Sequence, residues 1–223
     1  MYPFVKRFAD IMISALALLM LSPLFLIVSL VLLCTGEHYV FYFQQRIGLQ
    51  NKPFDIWKFA TMLKNSPNMG TGTITLRKDP RVLPCGTFLR KTKINELPQI
   101  INVFIGNMSI VGPRPLTANH FNTYSQEVKE VLYGIKPGIT GIGSIVFRDE
   151  ERLISATDLP PAEFYARYIS PYKGELEKWY NKNQSLGVDM KLIFLTAWVI
   201  LKPESDLPFR WLKGLPERPE YLK

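Results

Sequence analysis

Residues 11–34 read IMISALALLMLSPLFLIVSLVLLC, and this stretch decides how the rest of the chain is understood. Only Ser14, Ser22, Ser29 and Pro23 interrupt an otherwise apolar run. About 20 apolar residues suffice for a helix to span a bilayer, so the run predicts residence in a membrane. A cleaved signal peptide is disfavoured, because the run is too long and no small-x-small cleavage site follows it. Ser22-Pro23 falls at its middle. Proline removes a backbone donor and clashes with the preceding turn, so the helix is expected to kink or break there. The Ser22 hydroxyl is then a candidate to satisfy the carbonyl that loses its partner. Lys6 and Arg7 mark the N-terminal flank as cytoplasmic, and the chain beyond the run is also basic. A helix that dips in and returns keeps both flanks on one side; a proline-kinked single span is the alternative that the residues alone leave open.

Outward from this segment, 223 residues with 47% hydrophobic and 21% charged allow one compact domain besides the membrane segment. A net charge of +8 suits an acidic partner: nucleic acid, an anionic membrane surface or a phosphorylated substrate. The basic residues are scattered, as in Arg77-Lys78, Arg90-Lys91 and Lys93, with no long run, which disfavours nucleic acid. Cys34 and Cys85 build neither a disulfide framework nor a Cys-rich metal site and fit a reducing compartment. His38 and His120 are too isolated for a zinc site and read as ordinary surface or core residues.

Periodicity predicts a short strand over 39–44, a turn-rich connection over 45–53, a mixed strand or helix start over 54–63 and a loop over 64–79. A helix is expected over 89–104, with Pro98 tolerated only in a first turn. A loop over 106–115, an amphipathic helix over 121–133 and a Pro/Gly-rich turn over 136–143 follow. A further helix over 161–181 should break near Ser170-Pro171. Residues 188–201 are apolar but carry Asp189 and Lys191, and their length suits a buried or interfacial helix better than a span. Trp198 and Trp211 suit headgroup depth or core packing equally. The expected fold is an α-rich α+β monotopic membrane domain. It has an N-terminal re-entrant helix broken at Ser22-Pro23 and interfacial amphipathic helices, divided into a membrane segment 1–36, a cytosolic-face domain 37–202 and a tail 203–223.

Three local features invite chemistry. Arg90, Lys91 and Lys93 precede Asn95-Glu96 at an expected helix start, where unpaired N–H groups and the dipole attract phosphate; Asn95 as a cap and Glu96 as a dipole complement explain the same residues equally well. In Gly112-Pro113-Arg114-Pro115, Pro115 holds Arg114 extended, aiming its guanidinium in a fixed direction. Asp149-Glu150-Glu151 is the densest acidic cluster, read first as a solvated helix start and second as a metal or acid–base group.

The same residues carry a likeness. The text Lys6-Arg7-Phe8-Ala9-Asp10, Ser22-Pro23, Gln45-Arg46-Ile47-Gly48, Lys58-Phe59, Asp79-Pro80-Arg81-Val82, Phe88-Leu89-Arg90-Lys91-Thr92, Glu96-Leu97-Pro98-Gln99, Asn102-Val103 and Gly106 through Pro115 resembles the bacterial sugar transferase family of monotopic phosphoglycosyl transferases. The resemblance runs from about Lys6 to Leu201. It implies a re-entrant helix at Ser-Pro, and transfer of a sugar-1-phosphate from a UDP-sugar to undecaprenyl phosphate with release of UMP and a requirement for magnesium. It implies the cytoplasmic face of the bacterial inner membrane, and a first membrane step in exopolysaccharide or lipopolysaccharide biosynthesis. Glu96 corresponds to the second member of the family's Asp-Glu dyad, Arg90 and Lys58 to phosphate contacts, and Pro113-Arg114-Pro115 to the nucleotide border. Polyprenyl phosphate, a UDP-sugar and a second copy of the chain are the expected partners.

The chain departs from the family's text at two places. The nucleophilic aspartate falls on Asn95, and the aspartate of Gly-Asp-Met-Ser falls on Asn107. A neutral amide cannot form an acyl phosphate and binds magnesium more weakly than a carboxylate. Glu96 is then either the nucleophile or the group that activates the lipid phosphate, with Asp149, Glu150 and Glu151 as candidates to help hold metal. A non-catalytic relative that binds polyprenyl phosphate or nucleotide-sugar is the alternative.

Overall fold

The computed structural model describes residues 1–69 and 79–222. Residues 70–78 of the loop expected over 64–79 lie outside them. The long helix α1 (Tyr2–Cys34) passes through Pro23 without leaving the helical state. Pro23 has no N–H to give to Leu19, and the Ser22 hydroxyl donates to the Leu19 carbonyl instead, at 2.8 Å. Ser14 and Ser29 likewise donate to carbonyls one turn back, so the hydroxyls in the apolar run are satisfied internally. The break expected at Ser22-Pro23 is therefore not an interruption of helix.

This helix is long and apolar enough to cross a membrane, and only 11% of its most apolar 18-residue window is buried, unlike the core helix of a water-soluble domain. Its two halves nonetheless rest on the same domain. Toward the N-terminus, Arg7 donates to the Val103 and Phe104 carbonyls at 2.7 and 2.9 Å, and the Asp10 carboxylate accepts from Ile110 N–H at 3.0 Å. Toward the C-terminus, Val28 and Leu32 are buried with Phe59 and Leu89. Between these anchors Leu19, Met20, Leu26 and Ile27 are exposed.

An antiparallel hairpin follows, β1 (Phe41–Ile47) and β2 (Pro53–Phe59), in register Phe43↔Trp57 and Phe41↔Phe59. The paired aromatic rings stack or meet edge-on, at 5.6 Å for Phe41–Phe59 and 4.8 Å for Phe43–Trp57. The expected helix over 89–104 is divided. Helix α2 (Pro84–Lys91) ends, Lys93 adopts a left-handed φ of 61°, a single turn Ile94–Glu96 intervenes, and α3 (Gln99–Ile105) begins after Pro98. Asn102 of α3 is fully buried. It accepts from Trp57 N–H at 2.9 Å and donates to the Asp55 carbonyl at 2.8 Å, clamping α3 to β2.

Strand β3 (Ser109–Val111) and, after α4 (Ala118–Asn122) and α5 (Gln126–Tyr133), strand β4 (Gly138–Thr140) form a parallel pair inside segments expected to be loop and turn. The helix expected over 121–133 splits where Ser125 caps α5. Gly112 and Gly138 bring the two backbones together so closely that a Cβ on Gly138 would stand 2.2 Å from Gly112 N. This contact fixes the exit direction of Pro113-Arg114. Beyond it lie α6 (Ile142–Val146), α7 (Glu150–Ser155), α8 (Pro161–Phe164), a wide π-type turn Tyr165–Ile169, α9 (Ser170–Asn183), α10 (Leu186–Leu201) and α11 (Leu207–Trp211). The disturbance expected at Ser170-Pro171 is this π-type turn just before it, which absorbs the donor that Pro171 lacks. Ile142, Ile169, Leu176, Leu192 and Leu195 are fully buried at the centre of the largest core. On α10, Leu192, Leu195 and Val199 enter that core while Leu186, Met190, Phe194 and Ile200 stay exposed. One face of this helix is core, as expected for a buried helix over 188–201, and another is apolar surface.

Candidate active site

Most of the residues singled out for chemistry line one cavity of about 1070 Å³: Lys58, Arg90, Lys91, Lys93, Asn95, Glu96, Pro113, Arg114, Pro115, Asp149 and Glu150. The Glu151 side chain lies outside the described ones. Ser22 and Pro23 belong to the exposed middle of α1 and not to this cavity.

Glu96 is its electrostatic centre. Arg114 donates to Glu96 Oε1 at 3.0 Å, and Lys58 Nζ stands 3.6 Å from the same oxygen. Lys58 comes from β2, held by the Asn102 clamp; Arg114 comes from the Gly112 turn; Glu96 comes from the single turn between α2 and α3. Burial pushes the Glu96 carboxyl up, but Arg114, Lys58 and Lys93 together outweigh it and hold the group far below the ordinary carboxylate range. Burial pulls Lys58 down to about 8 against the attraction of Glu96. Arg46 lines the same cavity and donates to the Pro115 carbonyl at 3.0 Å, pinning the Pro113-Arg114-Pro115 turn to β1.

Asn95 does not cap a helix. Its side chain is buried, and its Oδ1 finds no hydrogen-bond partner. Nor does the Asn95-Glu96 pair open a helix, since α3 starts at Gln99. The cations around Glu96 thus come from convergent side chains and not from a helix dipole. Glu150 Oε2 is engaged by Lys173. Among the described residues no group of three His, Cys, Asp or Glu side chains stands together.

The sequence profile of the family described as Bacterial sugar transferase matches residues 1–203. The chain belongs to the bacterial sugar transferase family. An Escherichia coli relative named UDP-glucose:undecaprenyl-phosphate glucose-1-phosphate transferase is 36% identical over 196 residues, covering 86% of this chain and 39% of the relative. The undecaprenyl-phosphate galactose phosphotransferase of Salmonella typhimurium is 31% identical over 216 residues, 91% of this chain and 41% of the relative. The exopolysaccharide production protein ExoY of Sinorhizobium fredii is 32% identical over 205 residues, 86% of this chain and 83% of the relative. This bacterial sugar transferase chain spans about two fifths of the first two relatives and most of the third.

Residue reasoning passed over Arg46 as a site residue and placed His120 among ordinary side chains. His120 lines the cavity and stacks on Tyr165, with centroids 4.3 Å apart. Tyr165, Lys173 and Glu177 also line it and were not singled out. The Gln45-Arg46-Ile47-Gly48 text could have flagged Arg46; nothing local distinguishes the other four.

Proposed function

We propose that this bacterial sugar transferase moves a sugar-1-phosphate from a UDP-sugar to undecaprenyl phosphate at the cytoplasmic face of the inner membrane. The observation that carries this reading is the cavity centred on Glu96, with Lys58 and Arg114 on its carboxylate and Arg46, Arg90 and Lys93 around it. Such a set of cations suits a phosphoryl group that gains negative charge in transfer. Ile13, Ser14 and Ala17 of α1 line the same cavity, so a lipid phosphate has a route from the membrane helix to the cations.

A phosphate monoester with a second pKa near ~6 is largely dianionic at neutral pH and needs no base before it attacks. Glu96, held ionised by two cations, is a poor proton acceptor and serves as the fixed counter-charge that orders Lys58 and Arg114. In this route an oxygen of the lipid phosphate bonds to the sugar-bearing phosphorus and becomes the new bridge, the old P–O bond to the bridging oxygen breaks, and UMP leaves carrying that bridging oxygen. A magnesium ion is part of the proposal. The orphaned Asn95 Oδ1 stands beside the Glu96 carboxylate in sequence, and Mg²⁺ characteristically takes one or two protein oxygens and completes its shell with substrate phosphates. Bound there, the ion would offset charge on the phosphoryl oxygens.

A re-entrant α1 is part of the proposal. A helix of 33 residues is about 50 Å long, and a straight span would carry its ends to opposite faces of a bilayer core about 30 Å thick. Contacts of both halves with one domain, on either side of an exposed Ser22-Pro23, favour a helix that enters and leaves by the same face.

The test is UMP release by purified protein with undecaprenyl phosphate, magnesium and a panel of UDP-sugars, beside Asn95→Asp and Glu96→Ala. Activity in the unmodified chain that is lost in Glu96→Ala supports transfer without an aspartate nucleophile. UMP release before lipid is added would sink the direct route. A second reading, binding without turnover, is favoured by the amide at Asn95. Silence of the unmodified chain with activity in Asn95→Asp would establish it.

A further inference from the structure

The cavity extends beyond the Glu96 cluster into a polar compartment that the phosphate chemistry does not use. Charges of alternating sign lead there. Arg114 feels Glu150 as well as Glu96, Glu150 pairs with Lys173, and Lys173 lies one turn before Glu177 on α9. Glu177 is 95% buried by its 5% relative exposure, and its Oε2 has no hydrogen-bond partner. Ser144 also lines the cavity, and its Oγ is likewise buried without a partner. The two come from different elements, and those elements touch: Gly143, next to Ser144 in α6, lies against Glu177 so closely that a Cβ there would stand 2.7 Å from Oε1. Tyr124 and Tyr165 form further wall of the same cavity.

Two unpartnered buried polar atoms in the lining of one cavity are costly unless something else satisfies them. The aliphatic lipid offers no such partner. The phosphates belong with the cations nearer Glu96. A ring carrying several hydroxyls offers the missing donors and acceptors, and the tyrosines give it walls. We infer that Glu177 and Ser144 form the subsite for the sugar ring of the donor, reading its hydroxyls while the diphosphate rests on Lys58 and Arg114. Burial pushes the Glu177 carboxyl up to about 8, with Lys173 opposing, so the group is mostly neutral at pH 7 and does not repel the nearby diphosphate.

The inference rests on the transferase reading, and binding measurements separate the two. Calorimetry on the detergent-solubilised chain would compare UDP with UDP-glucose, UDP-galactose and their N-acetylamino counterparts. The unmodified chain is expected to bind one UDP-sugar at least about tenfold more tightly than UDP. Glu177→Gln and Ser144→Ala should each remove most of that preference while changing UDP affinity less than about twofold, with melting temperatures reporting that both variants fold. No binding of UDP or of any UDP-sugar would overturn the transferase reading itself. Binding of UDP and UDP-sugars with equal affinity, or a preference untouched by both folded variants, would overturn the subsite alone and leave water as the partner of these atoms.

Discussion

Glu96 faces Arg114 and Lys58 across 3.0 and 3.6 Å, and the two cations are not equivalent. Arginine stays charged at any working pH, whereas Lys58 is held near 8 by burial. Its folded value lies below that of an exposed lysine, so the native site loses this charge as pH rises through about 8. The expected outcome is that kcat/KM falls above that pH, and that Lys58→Arg moves the falling limb upward at a lower maximal rate; a pH–rate profile of both proteins checks it. Arg114→Ala should lower kcat by about 100-fold or more, as removal of a preorganised charge at a phosphoryl site does, with little change in melting temperature because the side chain is half-exposed. Asn95→Asp would add a carboxylate where an amide oxygen now stands without a partner.

Among the elements, the β1–β2 hairpin and α3 act as one unit through Asn102. Asn102→Leu would strand the Trp57 N–H and the Asp55 carbonyl, at about 1–3 kcal/mol for each group. Denaturant titration in micelles should show that loss, along with a displaced Lys58 that weakens turnover. For α1 the expected outcome is topological. In a background lacking Cys34 and Cys85, cysteines placed at Tyr2 and Glu37 should react with an impermeant maleimide from the same side of the membrane; reaction from opposite sides would restore the kinked span. Much of this level was legible in advance. The apolar run gave α1, the Ser22 hydroxyl and Pro23 predicted where the spare carbonyl would go, and aromatic alternation announced β1. The division of 89–104 was not legible, because Leu89, Val103 and Phe104 keep the apolar pattern while the interruption depends on a left-handed backbone at Lys93. Nor was the β3–β4 pair, whose three-residue strands are too short for periodicity and are defined by a backbone contact across 26 residues, Gly112 to Gly138.

Across the whole molecule, the site draws on both halves of the chain, and that distance divides what sequence could reveal from what it could not. Lys58, Glu96 and Arg114 stand in dense motifs and were readable, whereas Ser144, Lys173 and Glu177 lie on ordinary helical text and acquire meaning only when α6 meets α9. Glu177 also sets how global stability responds to acidity. Its folded value, near 8, is raised above the unfolded value near 4.5, so stability is full below the unfolded value and declines as pH climbs toward 8. The slope approaches about 1.4 kcal/mol per pH unit in that window. Thermal unfolding in detergent from pH 5 to 9 should therefore fall more steeply for the unmodified chain than for Glu177→Gln. The attachment of α1 has a mechanical counterpart. Asp10 grips Ile110 N–H, four residues ahead of Arg114, and Arg7 grips the end of α3, so the long apolar helix is a lever whose short arm ends in the wall of the Glu96 cavity. On the proposed membrane placement, a tilt imposed by a thinner or thicker bilayer is expected to act through these bonds. Turnover should vary with acyl-chain length in reconstituted vesicles, and Asp10→Ala should flatten that dependence by unfastening the lever.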